Sequence, residues 1–183
     1  MPETLSLISR ATEATEYIGQ VFASFLKSGD VVSLDGDMGA GKTALTRGIA
    51  RGMGLTSPVA SPTFTIVMEH PAENSGQLPL YHFDVYRLRD GDDFLDAGLD
   101  EYLYQDGVSV LEWGDIVKDV LPEHILRISM SGSDETRKMD FEFPLSRRED
   151  LSQLANRLSG DTRITIMTEP LTHSSAHSGG STC

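Results

Sequence analysis

The sequence predicts an α/β fold, and three observations carry that reading. The apolar run Val31–Leu34 leads into a glycine-rich loop and then into residues able to open a helix, a strand–loop–helix unit typical of such folds. Other strand-like runs alternate with stretches of helical period, so sheet and helices interleave along the chain. Two pairs of strand-like runs are joined by short polar turns, which predicts antiparallel hairpins across 64–85 and 124–143.

Leu5 and Leu7 alternate with polar neighbours and predict a first strand. Ser9 is the expected cap of the next helix, in which Ala14, Tyr17, Ile18, Val21, Phe22, Phe25 and Leu26 recur at helical spacing and Gly29 is the stop. After the second strand and the glycine loop comes a helix with Leu45, Ile49 and Met53 on one side, ended by Gly54. Gly48 and Gly52 weaken it by about 1 kcal/mol each relative to Ala. Residues 55–63, with Pro58 and Pro62, form a loop. Phe64–Met68 and Leu78–Val85 read as strands, the second with Leu80, His82 and Asp84 on one face and Tyr81, Phe83 and Val85 on the other. Phe94, Leu95, Leu99, Tyr102 and Leu103 anchor one or two short helices. Gly107–Glu112 is a strand, followed by Trp113, Gly114 and a short helix to Leu121, which Pro122 breaks. His124–Ser131 and Thr136–Phe143 form the second hairpin, and Ser146–Leu158 an amphipathic helix. Arg163–Met167 can add a last strand. From Glu169 onward small polar residues with few apolar anchors predict disorder.

Composition narrows the function classes. The 183 residues carry 15 basic against 28 acidic side chains, a net charge of −13, which disfavours a direct grip on a nucleic-acid backbone and suits docking on a more basic protein. The one cysteine, Cys183, allows no intrachain disulfide. The chain shows no secretory signal and no apolar run near the ~18 residues that span a bilayer, so a cytoplasmic location with no membrane attachment is expected. Six carboxylates, Asp90, Asp92, Asp93, Asp96, Asp100 and Glu101, form either a solvated acidic face or a docking surface. They lack the order of a calcium loop. His173 and His177 lie four apart, a spacing that can bind metal, but the absence of a third ligand disfavours a site there.

The loop carries the chemistry. Gly36-x-x-x-x-Gly41-Lys42-Thr43 fits the phosphate-binding pattern in full. In Gly36-Asp37-Met38-Gly39-Ala40-Gly41-Lys42-Thr43-Ala44 the glycines let backbone N–H groups converge on phosphate oxygens, at the positive end of the following helix. Lys42 supplies a full charge to the outer phosphates, and the Thr43 hydroxyl is placed to ligate magnesium (Mg2+). No Asn-Lys-x-Asp guanine-reading element occurs, so the expected nucleotide is ATP.

Hydrolysis further needs a second hold on magnesium and a group that positions water. Such groups sit at the carboxyl ends of strands in open α/β sheets. Glu112 ends one strand and is either a Walker-B-type metal ligand or a carboxylate facing water. Asp84 lies near the end of another and serves either that chemistry or an ion pair with Arg87, whose guanidinium also suits a γ-phosphate. His82 reads as a satisfied structural histidine. Ser61-Pro62-Thr63 is either a proline-fixed turn or a loop that senses the γ-phosphate. Trp113 packs near the site or fills core.

Taken in order, GDMGAGKT at 36–43, SPTF at 61–64, HFDVYRL at 82–88, GLDEYL at 98–103 and LEW at 111–113 resemble the TsaE family, bacterial ATPases of tRNA threonylcarbamoyladenosine biosynthesis. The resemblance spans about residues 5–145. It implies a three-layer P-loop NTPase fold with a mixed parallel and antiparallel central sheet. The stretch past Arg148 departs from the family pattern, and from composition the chain divides into an ATPase domain over residues 1–160 and a C-terminal tail over 161–183 expected to be largely disordered. The resemblance implies weak, magnesium-dependent ATP hydrolysis that supports threonylcarbamoylation of the adenosine beside the anticodon. The partners it implies are the transferase TsaD and its partner TsaB, with tRNA engaged only through that complex. Carried over by residue, Lys42 binds phosphates, Thr43 and Glu112 hold magnesium, Asp84 organises the attacking water, Trp113 lies beside the nucleotide and Thr12 lies near the adenine. Two other readings of the same loop are a small-molecule kinase, disfavoured because residues 90–103 contain no arginine for a lid, and a nucleotide-gated binding protein with little turnover.

Overall fold

The computed structural model describes residues 3–62, 64–132 and 135–167. Among them one sheet of eight strands runs in the order β3-β4-β5-β2-β6-β7-β1-β8. The strands are β1 (Glu3–Ser9), β2 (Val31–Gly36), β3 (Val67–His70), β4 (Leu80–Asp84), β5 (Val108–Glu112), β6 (Leu126–Ser131), β7 (Arg137–Phe143) and β8 (Ile164–Met167). β4, β5, β2 and β6 pair in parallel, while β3, β7, β1 and β8 are added antiparallel at the two sides. The α/β class and the mixed sheet are as expected, and both hairpins form.

The helices are α1 (Thr12–Phe22), α2 (Lys42–Gly52), α3 (Gly91–Asp96) and α4 (Arg148–Leu158). Alternation along the parallel strands sends side chains to two cores. Val32, Leu34, Leu80, Val108 and Val110 pack with α1, α2 and α4. Val31, Tyr81, Phe83 and Leu111 pack on the other face against Phe94 of α3 and the 3-10 turns Leu99–Tyr104 and Gly114–Val120. That second cover stops at the β6–β7 side, because Arg127, Ser129, Ser131, Lys138 and Glu142 leave the face polar and open to water.

α1 and α2 lie backbone to backbone. A Cβ on Gly48 would stand 2.0 Å from the Glu16 carbonyl oxygen, and one on Gly52 would stand 2.4 Å from that of Gln20. The glycines that weaken α2 in isolation are therefore what let it approach α1. Glu16 closes the contact with ion pairs to Arg47 and Arg51, at 2.7 and 3.0 Å.

Several boundaries differ from expectation. Ser9 does not cap α1: it is fully buried in β1, its Oγ lies 2.7 Å from Thr15 Oγ1, and the cap position is Ala11. Pairing with both β7 and β8 holds β1 extended through Ser9. The strand expected from Phe64 begins only at Val67, because Thr65 and Ile66 donate backbone hydrogen bonds to Pro62 in a turn that leaves Phe64 exposed. The strand at Ile164–Met167 pairs with β1, so the sheet extends past residue 160. The remaining tail, with His173, His177 and Cys183, lies outside the described residues, as does Thr63. No described helix is long and apolar enough to cross a membrane.

Candidate functional site

Sheet register assembles the site. β4 and β5 run parallel with Asp84 beside Glu112, and β2 runs parallel to β5 with Leu34 beside Glu112. Two residues beyond Leu34 the chain leaves β2 at Gly36 and enters the glycine loop. Three strand ends thus meet at the carboxyl edge of the parallel strands, where open α/β sheets hold their ligands. Gly36 is needed there: its φ is 136°, and a Cβ would stand 1.9 Å from the Met130 carbonyl oxygen of β6. Gly39 and Gly41 also have positive φ, 81° and 100°, which points the loop into the first turn of α2.

Glu112 shares a face with Val108 and Val110, toward α2. Its carboxylate accepts from Thr43 Oγ1 at 2.9 and 3.2 Å and lies 2.9 Å from His82 Nε2. It is 4% exposed, so the alternative of a carboxylate facing water is excluded. Asp84, also buried, accepts from Ser61 Oγ at 2.5 Å and from the Tyr86 N–H at 3.3 Å. Lys42 is buried, donates to the carbonyls of Gly36 and Asp37 at 2.6 and 2.9 Å, and stands 3.7 Å from the centre of the Trp113 ring. Burial pushes its ammonium below the ordinary lysine value, while Glu112 and Asp84 pull it back up.

Trp113 follows Glu112 with a φ of 68°. Its N–H donates to Leu34 O at 2.8 Å, and the Asp115 N–H donates to Asp35 Oδ1 at 2.8 Å, which ties this turn to β2. Burial raises the Asp35 carboxyl above its usual range, against the hydrogen bonds from Ser33 and Asp115 that lower it. Ile66, the other non-glycine with positive φ among the described residues, accepts from the Asp84 N–H at 2.8 Å. Positive φ is unfavourable for a β-branched residue; Ile66 holds the backbone of Asp84, and Trp113 directly follows Glu112.

The pocket between these elements measures about 550 Å³ and is lined by Met38, Gly39, Gly41, Lys42, Thr43, Ala44, Ser61, Asp84, Tyr86, Arg87, Glu112 and Trp113, within the size range of small-molecule sites. It brings together most of the residues singled out in the sequence. Gly36, Asp37 and Ala40 shape the loop without lining the pocket, and Thr12 is exposed at the start of α1, also outside the lining. Two residues near the site have no role suggested by the sequence, although Tyr86 lies within HFDVYRL. Tyr86 packs on Trp113, with ring centres 5.0 Å apart. Arg137 reaches from β7 to Gly41, its Nε 3.3 Å from where a Cβ would stand. A cation so far along the chain leaves no local signal, and only the β6–β7 hairpin brings it back.

A hydroxyl and a carboxylate side by side are hard oxygen donors of the kind magnesium takes, alongside substrate phosphates and water. Among the described residues no group of three or more His, Cys, Asp or Glu could hold a metal by itself, so a cation here would depend on its ligand as well.

The family model described as threonylcarbamoyl adenosine biosynthesis protein TsaE matches residues 9–139. The tRNA threonylcarbamoyladenosine biosynthesis protein TsaE of Bacillus subtilis is 44% identical over 146 residues, covering 79% of this chain and 89% of its own. The protein of that name from Treponema pallidum is 43% identical over 123 residues, covering 67% and 88%. Among solved structures, Bacillus subtilis YdiB superposes with a TM-score of 0.70 at 38% identity, over 86% of this chain and 97% of that one. With matches of that extent in sequence and in fold, the chain belongs to the TsaE family of tRNA threonylcarbamoyladenosine biosynthesis proteins.

Proposed function

We propose that this chain is a P-loop ATPase that binds ATP with magnesium at Gly36–Thr43, hydrolyses it slowly by itself, and supports threonylcarbamoyl transfer to the adenosine beside the tRNA anticodon by acting on a TsaD–TsaB complex. The observation that carries the nucleotide part is the hydrogen bond from Thr43 Oγ1 to Glu112, at 2.9 Å, beside a buried Lys42 at the mouth of a glycine loop. Membership of the TsaE family supports the tRNA-modification part.

Each residue then has a task. The N–H groups at the start of α2 and Lys42 face the phosphates, aided by the helix dipole. Magnesium, when bound, neutralises charge on the β- and γ-phosphate oxygens; Thr43 and Glu112 would hold it. Asp84, fixed by Ser61 and the Tyr86 N–H, is placed to orient a water. Arg87 lines the same pocket and suits phosphate charge. Trp113 covers the Lys42 ammonium, and Tyr86 packs against Trp113 from the pocket side.

Lys42→Ala tests the loop. Calorimetry should show most of the ATP affinity lost, and unchanged affinity would refute the phosphate assignment. Binding to a TsaD–TsaB pair with and without ATP, read alongside modified tRNA in a depleted strain, tests the partner part.

A further inference from the structure

His82 stands out as a polar residue where a hydrophobic one would fit. It is fully buried in β4, next to a carboxylate at the centre of the site. Its Nε2 lies 2.9 Å from Glu112 Oε1, but its Nδ1 is buried with no hydrogen-bond partner. His70 repeats the pattern on β3, with Nδ1 2.7 Å from Ser57 Oγ and Nε2 buried without a partner. The two rings stack, with centres 6.3 Å apart, as diagonal neighbours in a register that sets Met68 against His82 and His70 against Leu80. An orphaned buried polar atom costs stability, and an apolar side chain of similar size would avoid it. What an apolar side chain cannot do is donate to Glu112.

We propose that His82 is a positioning residue: its Nε2–H holds the Glu112 carboxylate in the orientation that faces Thr43 and a bound cation, and His70, pinned by Ser57, keeps the His82 ring from turning away. This deepens the proposed function and rests on it. The geometry is that of outer-shell partners that orient a metal-binding carboxylate, whose loss typically costs 10–100-fold in metal affinity or activity. It also joins both site carboxylates to one segment, since Ser57 backs Glu112 through the two imidazoles and Ser61 holds Asp84 directly.

His82→Leu and His82→Gln separate this role from simple filling of space. Leu matches the volume and donates nothing, whereas Gln presents an amide N–H close to where Nε2 stands. A positioning role predicts that His82→Leu raises the magnesium needed for half-maximal ATP turnover by about 10–100-fold, leaves magnesium-free ADP affinity unchanged, and is largely rescued by Gln. A filling role predicts the reverse order, with Leu close to wild type and Gln worse, and that result would overturn the proposal. A wild type that neither binds nor hydrolyses ATP would instead bring down the underlying reading, and the positioning role with it. A readout that needs no nucleotide is the nitrogen–proton NMR spectrum of the imidazoles, assigned with His82→Gln. It should place a slowly exchanging hydrogen on Nε2 of His82; a ring with its hydrogen on Nδ1 alone would overturn the proposal even if His82→Leu does not fold.

Discussion

Gly48→Ala sets two physical effects against each other. On helix propensity alone, Ala in place of Gly stabilises α2 by about 1 kcal/mol. Against that, the new Cβ would stand 2.0 Å from the Glu16 carbonyl oxygen and 2.8 Å from its carbon. These are backbone atoms of α1, so no side chain can swing aside, and the helices must part by more than an ångström to restore ordinary contact. Overpacking of this kind costs about 1–3 kcal/mol, and more where backbone must move. Because backbone must move, the cost lies at the upper end of that range, about 3 kcal/mol against a gain of about 1, so the net expectation is a loss of about 2 kcal/mol, or a fall in melting temperature of about 4–8 °C at this chain length. Gly160→Ala is the control, since Gly160 has nothing within 4 Å of a built Cβ; it should be neutral or stabilising by up to about 1 kcal/mol. Paired thermal and urea denaturation of the two variants reads the difference. A Gly48→Ala protein more stable than wild type would refute the claim that these glycines exist for helix contact.

Trp113 is the only tryptophan and packs on both Lys42 and Tyr86, so its fluorescence should change when ADP or ATP is added; an unchanged spectrum at saturation would place the nucleotide away from it. Asp93 should titrate near pH 2, held down first by the Arg89 side-chain hydrogen bond. Because the folded value lies below the ordinary 3.8, the stability it adds is present above pH 3.8 and fades as pH falls through about 2. Carboxyl NMR of Arg89→Ala should return Asp93 toward 3.8, and no movement would remove the cause assigned to it.

The parts of the molecule legible in the sequence are those written locally. The glycine loop is a fixed spacing of eight residues, and Asp84 and Glu112 announce themselves as acids closing apolar runs. What was not legible is what arrives across the sheet. Ser9 is chemically an ideal cap, yet two neighbouring strands hold it in β1. Phe64 and Ile66 have strong strand propensity, yet the backbone turns there to bring Ile66 O to the Asp84 N–H. Arg137 reaches Gly41 only through the β6–β7 hairpin. His82 has the local pattern of a satisfied histidine, yet one of its nitrogens has no partner and the other lies 2.9 Å from the central carboxylate, a pairing set by register that no local pattern encodes. The acidic run has a partly structural meaning: Asp90 accepts from the Asp93 N–H and caps α3, while Phe94 is fully buried beneath it.

The most direct measurement is ATP binding and turnover by Glu112→Ala, with and without magnesium, beside wild type. If Thr43 and Glu112 hold the cation, the variant should bind nucleotide as wild type does in the absence of magnesium, gain no affinity when magnesium is added, and lose turnover by about 100-fold or more. Wild-type magnesium-dependent turnover in Glu112→Ala would contradict the account and move the cation to another carboxylate, Asp84 first.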